Sequence, residues 1–586
     1  MDQQKRLFLA IGLSFGLTIV FTNFVWKPQM EAEKARLDAL DAGAQAAALL
    51  VDAGAPEVPV IAAQQLDADG GVVMVPQPPA EIPLRTVNAN RESMKLTFSS
   101  QGAIVSDAVL LGKREHEHAS FSIIEGWKKL FGTRFPDPQQ MDLAEPPNGL
   151  PGPFSIGIAG GQPLSAQLKY AVTEEAPTKV VFTGNEGTWQ VTKTYTWAEK
   201  GSELTLDVDL KNIGAQPASG ELMVNLSRAI DPAKEEKASL FGGIGNAASI
   251  VCRHEDSVAR KMPDDDKPLQ EEKGPLSFVG IDQQYFLSAI WPKDKAIDGR
   301  CILTATTPSR LGQLAMNVTV QPQETLHKSF GIYLGPKDFE PLAKIGTTPD
   351  AAGGTFAPQL ETTVDFGWWA VICKGLLFFL RFFHGLFGNW GFSIIALTVM
   401  VKLLLLPLTH KAMVSAEAMK KLQPKMEAIR TTWADDRDKQ NQEMMKLYSE
   451  EKVNPVGGCL PLFLQLPIWA ALFTTLRTSY ELYGEPFIGP VWSDLTQKDP
   501  TYILPLALGV TMIITQRLQP QMMDKSQVFL MTWIMPIFFT AMMMNYPAGL
   551  ALYIFTNNLL SIIQQFALRR YIKSKEEAAS LTKVNP

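Results

Sequence analysis

"NWGFSIIALTVMVKLLLLPLTH", residues 389–410, decides how this chain is read. The apolar run from Phe392 to Leu408 has the composition of a bilayer-crossing helix, yet Lys402 stands inside it. A lysine near the bilayer centre costs roughly 2.5–3.5 kcal/mol on insertion scales. Either its stem carries the charge towards the surface, or water and partner groups meet it inside the membrane. From Lys402 to Leu408 the helix rises about 9 Å, of which a lysine stem recovers part. The sequence leaves both readings open.

The remaining polar residues of the apolar segments bear on that choice. Thr398 precedes Lys402 by one helical turn and shares its face. Gln465 interrupts a second apolar run, Thr511, Thr515 and Gln516 a third, and Asn557, Ser561, Gln564 and Gln565 form a stripe along the last. Singly, each would be an ordinary interhelical hydrogen bond. With a lysine among them they predict a hydrated cavity lined by Lys402, Thr398, Gln465, Thr511, Thr515, Asn557 and Ser561.

Outward from this stretch, five runs could span a membrane: about 391–409, 457–476, 501–518, 528–544 and 548–568. The polar block 410–456 is rich in lysine and arginine and has helical periodicity, which predicts a helical hairpin in the cytoplasm. Before the runs, 366–387 is aromatic, with Lys374 and Arg381 on one face and His384 a turn further on. That pattern predicts an amphipathic helix at the membrane surface, broken by "GNWG" at 388–391. The chain opens with Lys5 and Arg6, then an uncharged run from Leu7 to Trp26 whose end lacks the small residues of a cleavage site. We expect an uncleaved anchor over 1–27 with its N-terminus in the cytoplasm. Six spans then place both termini inside, with the loops at 477–500 and 545–547 outside.

Residues 28–88 are rich in Ala, Pro, Gly and Asp, a flexible linker that suggests a loosely tethered module beyond it. Residues 89–345 alternate in strand fashion. In "SELTLDVDL", Leu204, Leu206, Val208 and Leu210 alternate with polar residues, and "KVVFTG", "WQVTKTYTW" and "SFGIYLG" behave similarly. The expectation is a large extracytoplasmic antiparallel β-sandwich that could be deleted over about 95–320 without loss of the main activity. The fold class is therefore multi-domain, a polytopic α-helical membrane protein plus a β-sandwich.

Several function classes are excluded. A net charge of -6 argues against a nucleic-acid binder, and no DNA partner is expected. Cys252, Cys301, Cys373 and Cys459 lack zinc-site spacing. Cys252 and Cys301 lie on the oxidising side and could pair, but spacing gives no geometry, and two free buried thiols are the expectation. "GLSFG" at 12–16 lies in an apolar run rather than on a nucleophile elbow, and His116 and His118 lack a third metal ligand. No catalytic residue, metal or cofactor is expected, and the protein is not read as an enzyme.

"GNWGFSIIALTVMVKLLLLPLT", "LQPKMEAIR", "QEMMKLYSEEKVNPVGGCLPLFLQLPIWAALF", "YILPLALGVTMIITQRLQP" and "YPAGLALYIFTNNLLSIIQQ" closely resemble the YidC/Oxa/Alb family of membrane protein insertases, over about 366–573. The resemblance implies a five-helix insertase core at 389–573 with a hydrophilic groove open to cytoplasm and lipid, a cytoplasmic tail at 574–586, and a β-supersandwich in Gram-negative members. It implies nascent inner-membrane proteins as clients, with the Sec translocon, the ribosome (weakly, through hairpin and tail) and membrane lipids as partners. The family's groove usually carries an arginine; the matching position here is Lys402, which keeps the charge and loses the planar fork. An anion-binding transporter or channel is the alternative function. A β-domain that is a carbohydrate-binding module or enzyme is a third reading.

Overall fold

The computed structural model describes residues 82–114, 140–232, 235, 247–346, 356–451, 460–488, 491–518 and 525–584. The expected anchor, the linker as far as residue 81, His116, His118 and Cys459 lie outside them. The first strand begins at Thr86, so the last three residues assigned to the linker belong to the β-domain.

Two antiparallel sheets make that domain. The smaller runs in sequence order through β1 (Thr86–Asn90), β2 (Met94–Ser99), β3 (Ile104–Arg114) and β4 (Gln140–Asp142). The larger has 13 strands. They are β5 (Ile156–Ala159), β6 (Ala171–Ala176), β7 (Lys179–Glu186), β8 (Trp189–Trp197), β9 (Glu203–Asn212), β10 (Ala218–Ala229) and β11 (Ser249–His254). β12 (Ser257–Lys261), β13 (Leu269–Asp282), β14 (Phe286–Pro292), β15 (Ile297–Thr306), β16 (Ser309–Val320) and β17 (Thr325–Pro336) complete it. Its order is β5-β10-β16-β15-β13-β14-β17-β9-β8-β7-β6, with β11 and β12 attached beside β13.

The alternation in the sequence explains the packing. Leu204, Leu206, Val208 and Leu210 of β9 are buried, as are Trp189, Val191, Tyr195 and Trp197 of β8. Phe98 of the small sheet meets them, its ring 5.1 Å from Tyr195 and 5.2 Å from Trp197, so the two sheets share one core. Lys193 falls in phase with those aromatics and is wholly buried. Its ammonium donates to the carbonyls of Gly102 at 3.0 Å, Ala103 at 2.5 Å and Phe154 at 2.8 Å. Ala103 and Phe154 both have positive φ, a conformation that needs such external support.

Cys252 and Cys301 form a disulfide with Cα atoms 6.6 Å apart. This corrects the expectation of free thiols: β11 and β15 both pair with β13, which brings together two residues far apart in sequence. Cys373 is a buried free thiol.

After the strands, α1 (Phe339–Lys344) leads to two short 3₁₀ helices, Leu360–Thr363 and Gly367–Trp369, and then α2 (Ala370–Phe387). Gly388 ends α2 in the left-handed conformation, and Asn389 caps the next helix by accepting from the Phe392 N–H at 3.1 Å. That helix, α3 (Trp390–Thr432), is 43 residues long and continues through Pro407 and Pro424. The expected span and the first arm of the hairpin are thus one helix of about 65 Å, more than twice a hydrocarbon core. The second arm is α4 (Arg437–Glu450), packed against it through Met419, Leu422, Met426 and Leu447. There follow α5 (Leu460–Thr478), α6 (Ile503–Leu518), α7 (Lys525–Phe529), a π-helical turn at Leu530–Ile534, α8 (Met535–Met543) and α9 (Ala548–Val584). By length and composition, Gly367–Phe387 and Trp390–Pro407 qualify as bilayer-crossing segments among the described residues.

The β-domain is seated on these helices. β14 is buried on both faces: Phe286 and Ile290 belong to the sandwich core, while Leu287, Ala289 and Trp291 share a second core with Leu376, Leu380, Leu472 and Leu476. Tyr483, between α5 and α6, lies 4.9 Å from Phe286 and 5.1 Å from Tyr285, ring to ring. These contacts correct the reading of a loosely tethered module.

A polar seam between α3 and α9

Lys402 projects from α3 and donates to Ser561 Oγ of α9 at 2.8 Å. Ser561 in turn donates to the Asn557 carbonyl one turn earlier, at 2.8 Å. The hydroxyl therefore has its lone pairs free for the ammonium. Seven residues beyond Lys402, Thr409 Oγ1 accepts from Gln564 Nε2 at 2.8 Å. Two polar contacts thus cross one helix–helix seam in otherwise apolar segments. Lys402 is half-buried, while its neighbours Leu403 and Leu404 are exposed.

The other expected residues take different places. Thr398 is buried and donates to the Ile394 carbonyl at 2.7 Å. Thr511 is likewise buried and bonds to the Leu508 carbonyl, and Thr515 to the Thr511 carbonyl, each at 2.8 Å. These three hydroxyls are satisfied within their own helices. Gln465 lies in α5, where only the backbone is described. The structure therefore joins Lys402, Ser561 and Asn557 and does not show the other four at that contact.

Four polar residues outside the expected set carry buried atoms without a protein partner: Thr532 Oγ1, Thr540 Oγ1, Asn558 Nδ2 and Gln565 Oε1. Gln565 was legible as part of the α9 stripe. Thr540 was not, because its place depends on Gly509, whose missing side chain leaves room for the threonine hydroxyl. Buried polar atoms of this kind call for water. Thr532 also sits in the π-helical turn, a local widening often found where helices serve a function.

At the opposite end of the bundle the contacts are tight. Gly391 lies beneath the Phe487 ring, and the Ala548 and Gly549 amides donate to the Gln497 and Leu495 carbonyls at 2.6 and 2.8 Å. Arg381 of α2 pairs with Asp338 at 2.7 Å, with Glu340 at 2.8 Å and with Glu481. Lys374 lies 4.1 Å from the Phe339 ring centre. The basic stripe of α2 therefore faces protein. Beside that stripe α2 exposes Val371, Phe378 and Phe382, and Trp368, in the turn before α2, is 99 % exposed.

A β-sandwich seated on apolar helices that meet around a lysine, tight on the sandwich side and polar further along, defines a membrane protein with a working helical core and an accessory outer domain. Family models place it more closely. Residues 382–576 match the family described as 60Kd inner membrane protein, and residues 152–379 match the YidC periplasmic domain. The membrane protein insertase YidC of Anaeromyxobacter sp. (strain Fw109-5) is 36% identical over 507 residues, covering 84% of this chain and 86% of that one. Its counterpart in Geobacter sulfurreducens is 33% identical over 495 residues, covering 82% and 85%. A crystal structure of an active YidC insertase with its first transmembrane domain resolved aligns at 20% identity and a TM-score of 0.34, covering 83% of this chain and 94% of that chain. The chain belongs to the YidC family of membrane protein insertases. It is an inner-membrane insertase with a periplasmic β-domain, and the transporter alternative finds no support in these relatives. The small sheet lies wholly before the matched periplasmic region.

Proposed function

We propose that this insertase receives nascent inner-membrane segments in a hydrated groove along the α3–α9 seam, with Lys402 as its fixed positive charge. The observation that carries the reading is the Lys402–Ser561 contact between the apolar parts of two helices. An ammonium there attracts the acidic flank of a client more strongly than in bulk water, because the surroundings screen less. Transfer of the client's apolar segment into lipid then drives it across, and no covalent bond changes. Thr398, Gln465, Thr511, Thr515 and Asn557 would line the same groove, the threonine hydroxyls by releasing bonds now closed on their own helices.

The proposed topology has six spans with both termini in the cytoplasm. In it α2 lies at the outer surface, since Arg381 is tied to Glu481 and Asp338 on the β-domain side while the aromatic face is bare. The α3–α4 hairpin would receive clients at the cytoplasmic side, where the ribosome and the Sec translocon deliver them. A stalled nascent chain carrying a photoreactive residue tests the reading. Crosslinks to positions 398, 402 and 561, and not to 404, are expected. Crosslinks spread evenly around α3 would overturn it.

A further inference from the structure

Two arginines flank the end of α6 remote from the β-domain, and a third is next in sequence on α9. Arg517 lies over the Trp533 ring, 4.9 Å from its centre. Arg569 of α9 donates to the Leu518 carbonyl, closing the C-terminus of α6. Arg570 follows it and is exposed. Among the described residues no carboxylate forms a salt bridge with any of the three. Capping a helix C-terminus leaves the Arg569 guanidinium most of its five N–H groups.

An apolar track runs up to this cluster. Val510, Ile514 and Arg517 lie on one face of α6, and the first two are exposed. Trp533, beneath Arg517, is also exposed, as is Ile537 four residues further on. On α9, Phe566 is exposed one turn before Arg570. Cations at the head of a bare apolar stripe, with an indole at the boundary, have the chemistry of a phospholipid: phosphate at one end, acyl chain along the other.

We propose that this corner is a binding site for an anionic phospholipid. Its phosphate and anionic headgroup lie on Arg517, Arg569 and Arg570, and an acyl chain lies along Val510, Ile514 and Ile537. A zwitterionic lipid brings its own cation into a field already positive and is disfavoured. The inference rests on the membrane placement proposed above but not on the groove.

Native mass spectrometry of the full chain tests it, after equilibration with equal phosphatidylglycerol and phosphatidylcholine. Each arginine is expected to contribute about fivefold in affinity for the anionic lipid. The native chain should retain phosphatidylglycerol preferentially, and Arg517→Ala with Arg570→Ala should lower that preference by about 25-fold, leaving the roughly fivefold share of Arg569. Arg570→Glu alone, at an exposed side chain, should lower the preference several-fold and guards against misfolding of the double variant. Absence of preference in the native chain, or an unchanged preference in either variant, overturns the proposal. Loss of ribosome co-sedimentation in Arg570→Glu with lipid preference unchanged would assign the arginines to RNA and also overturn it. The lipid ratio is read without a client, so its failure is separate from any failure of insertion.

Discussion

Lys193 and Lys402 are two lysines in apolar phase with their neighbours, and the structure uses them oppositely. Burial pushes the Lys193 ammonium well below the usual lysine range, yet three carbonyls hold it in the sandwich. Replacing it by methionine would leave the Gly102 and Phe154 carbonyls without that donor, while Ala103 keeps the Tyr195 hydroxyl at 2.7 Å, at a cost of roughly 1–3 kcal/mol for each group left unsatisfied. We expect Lys193→Met to lower the stability of the β-domain by about 3 kcal/mol or more in denaturant unfolding. An unchanged midpoint would show that the two left-handed turns need no such support. The position was legible: in "WQVTKTYTW" the alternation puts Lys193 with Trp189, Val191, Tyr195 and Trp197. For Lys402 the sequence left two readings open, because helical phase names a face and not what covers it. Ser561 supplied the partner, and it was visible only as one member of a stripe.

At the scale of elements, alternation made the strands readable, since a half-buried strand has a period of two. β14 escaped that rule because both its faces are covered, one by the sandwich and one by helices. The continuity of α3 through two prolines was also hidden, as the loss of apolar character at 410 does not mark the helix end. The disulfide could not be read from spacing, because the topology of three strands creates the proximity. One ion pair between strands gives a pH dependence. Arg300 of β15 holds Glu221 of β10 in two hydrogen bonds of 2.7 and 2.6 Å across β16, which keeps the Glu221 carboxyl below its usual range. A carboxyl lowered in the folded state adds stability above its unfolded pKa, and that stability is lost as pH falls through the folded value. Glu221→Gln should therefore melt below the native chain at pH 7, by an amount worth about 1 kcal/mol or less for a partly exposed pair. The gap should close below about pH 4. A gap that persists in acid would mean that the glutamate acts through packing instead.

For the whole molecule, the linker composition implied a loosely held β-domain, and the packing of Tyr285 and Phe286 on Tyr483 shows a seated one. Local composition is silent about such docking, because the contacting residues are ordinary aromatics in separate parts of the chain. Deletion of about 95–320 should still leave insertion, since the polar seam lies beyond residue 360. It should also lower the melting temperature of the helical core, because Tyr480 and Tyr483 lose the partners that bury them, at about 1.5–3 kcal/mol per large side chain. Unchanged melting would make the docking incidental, and lost insertion in a stably expressed deletion would place essential function in the sandwich.

The central claim is that Lys402 faces water inside the membrane, and thiol accessibility tests it without assumptions about clients. Lys402→Cys and Leu404→Cys would each be treated in intact membranes with a membrane-impermeant maleimide from the cytoplasmic side, with native Cys373 and Cys459 replaced by serine. The account predicts rapid labelling at position 402 and none at 404, where the leucine side chain lies on the exposed face that the proposed topology turns to lipid. An unreactive thiol at position 402 in folded, insertion-competent protein would contradict it.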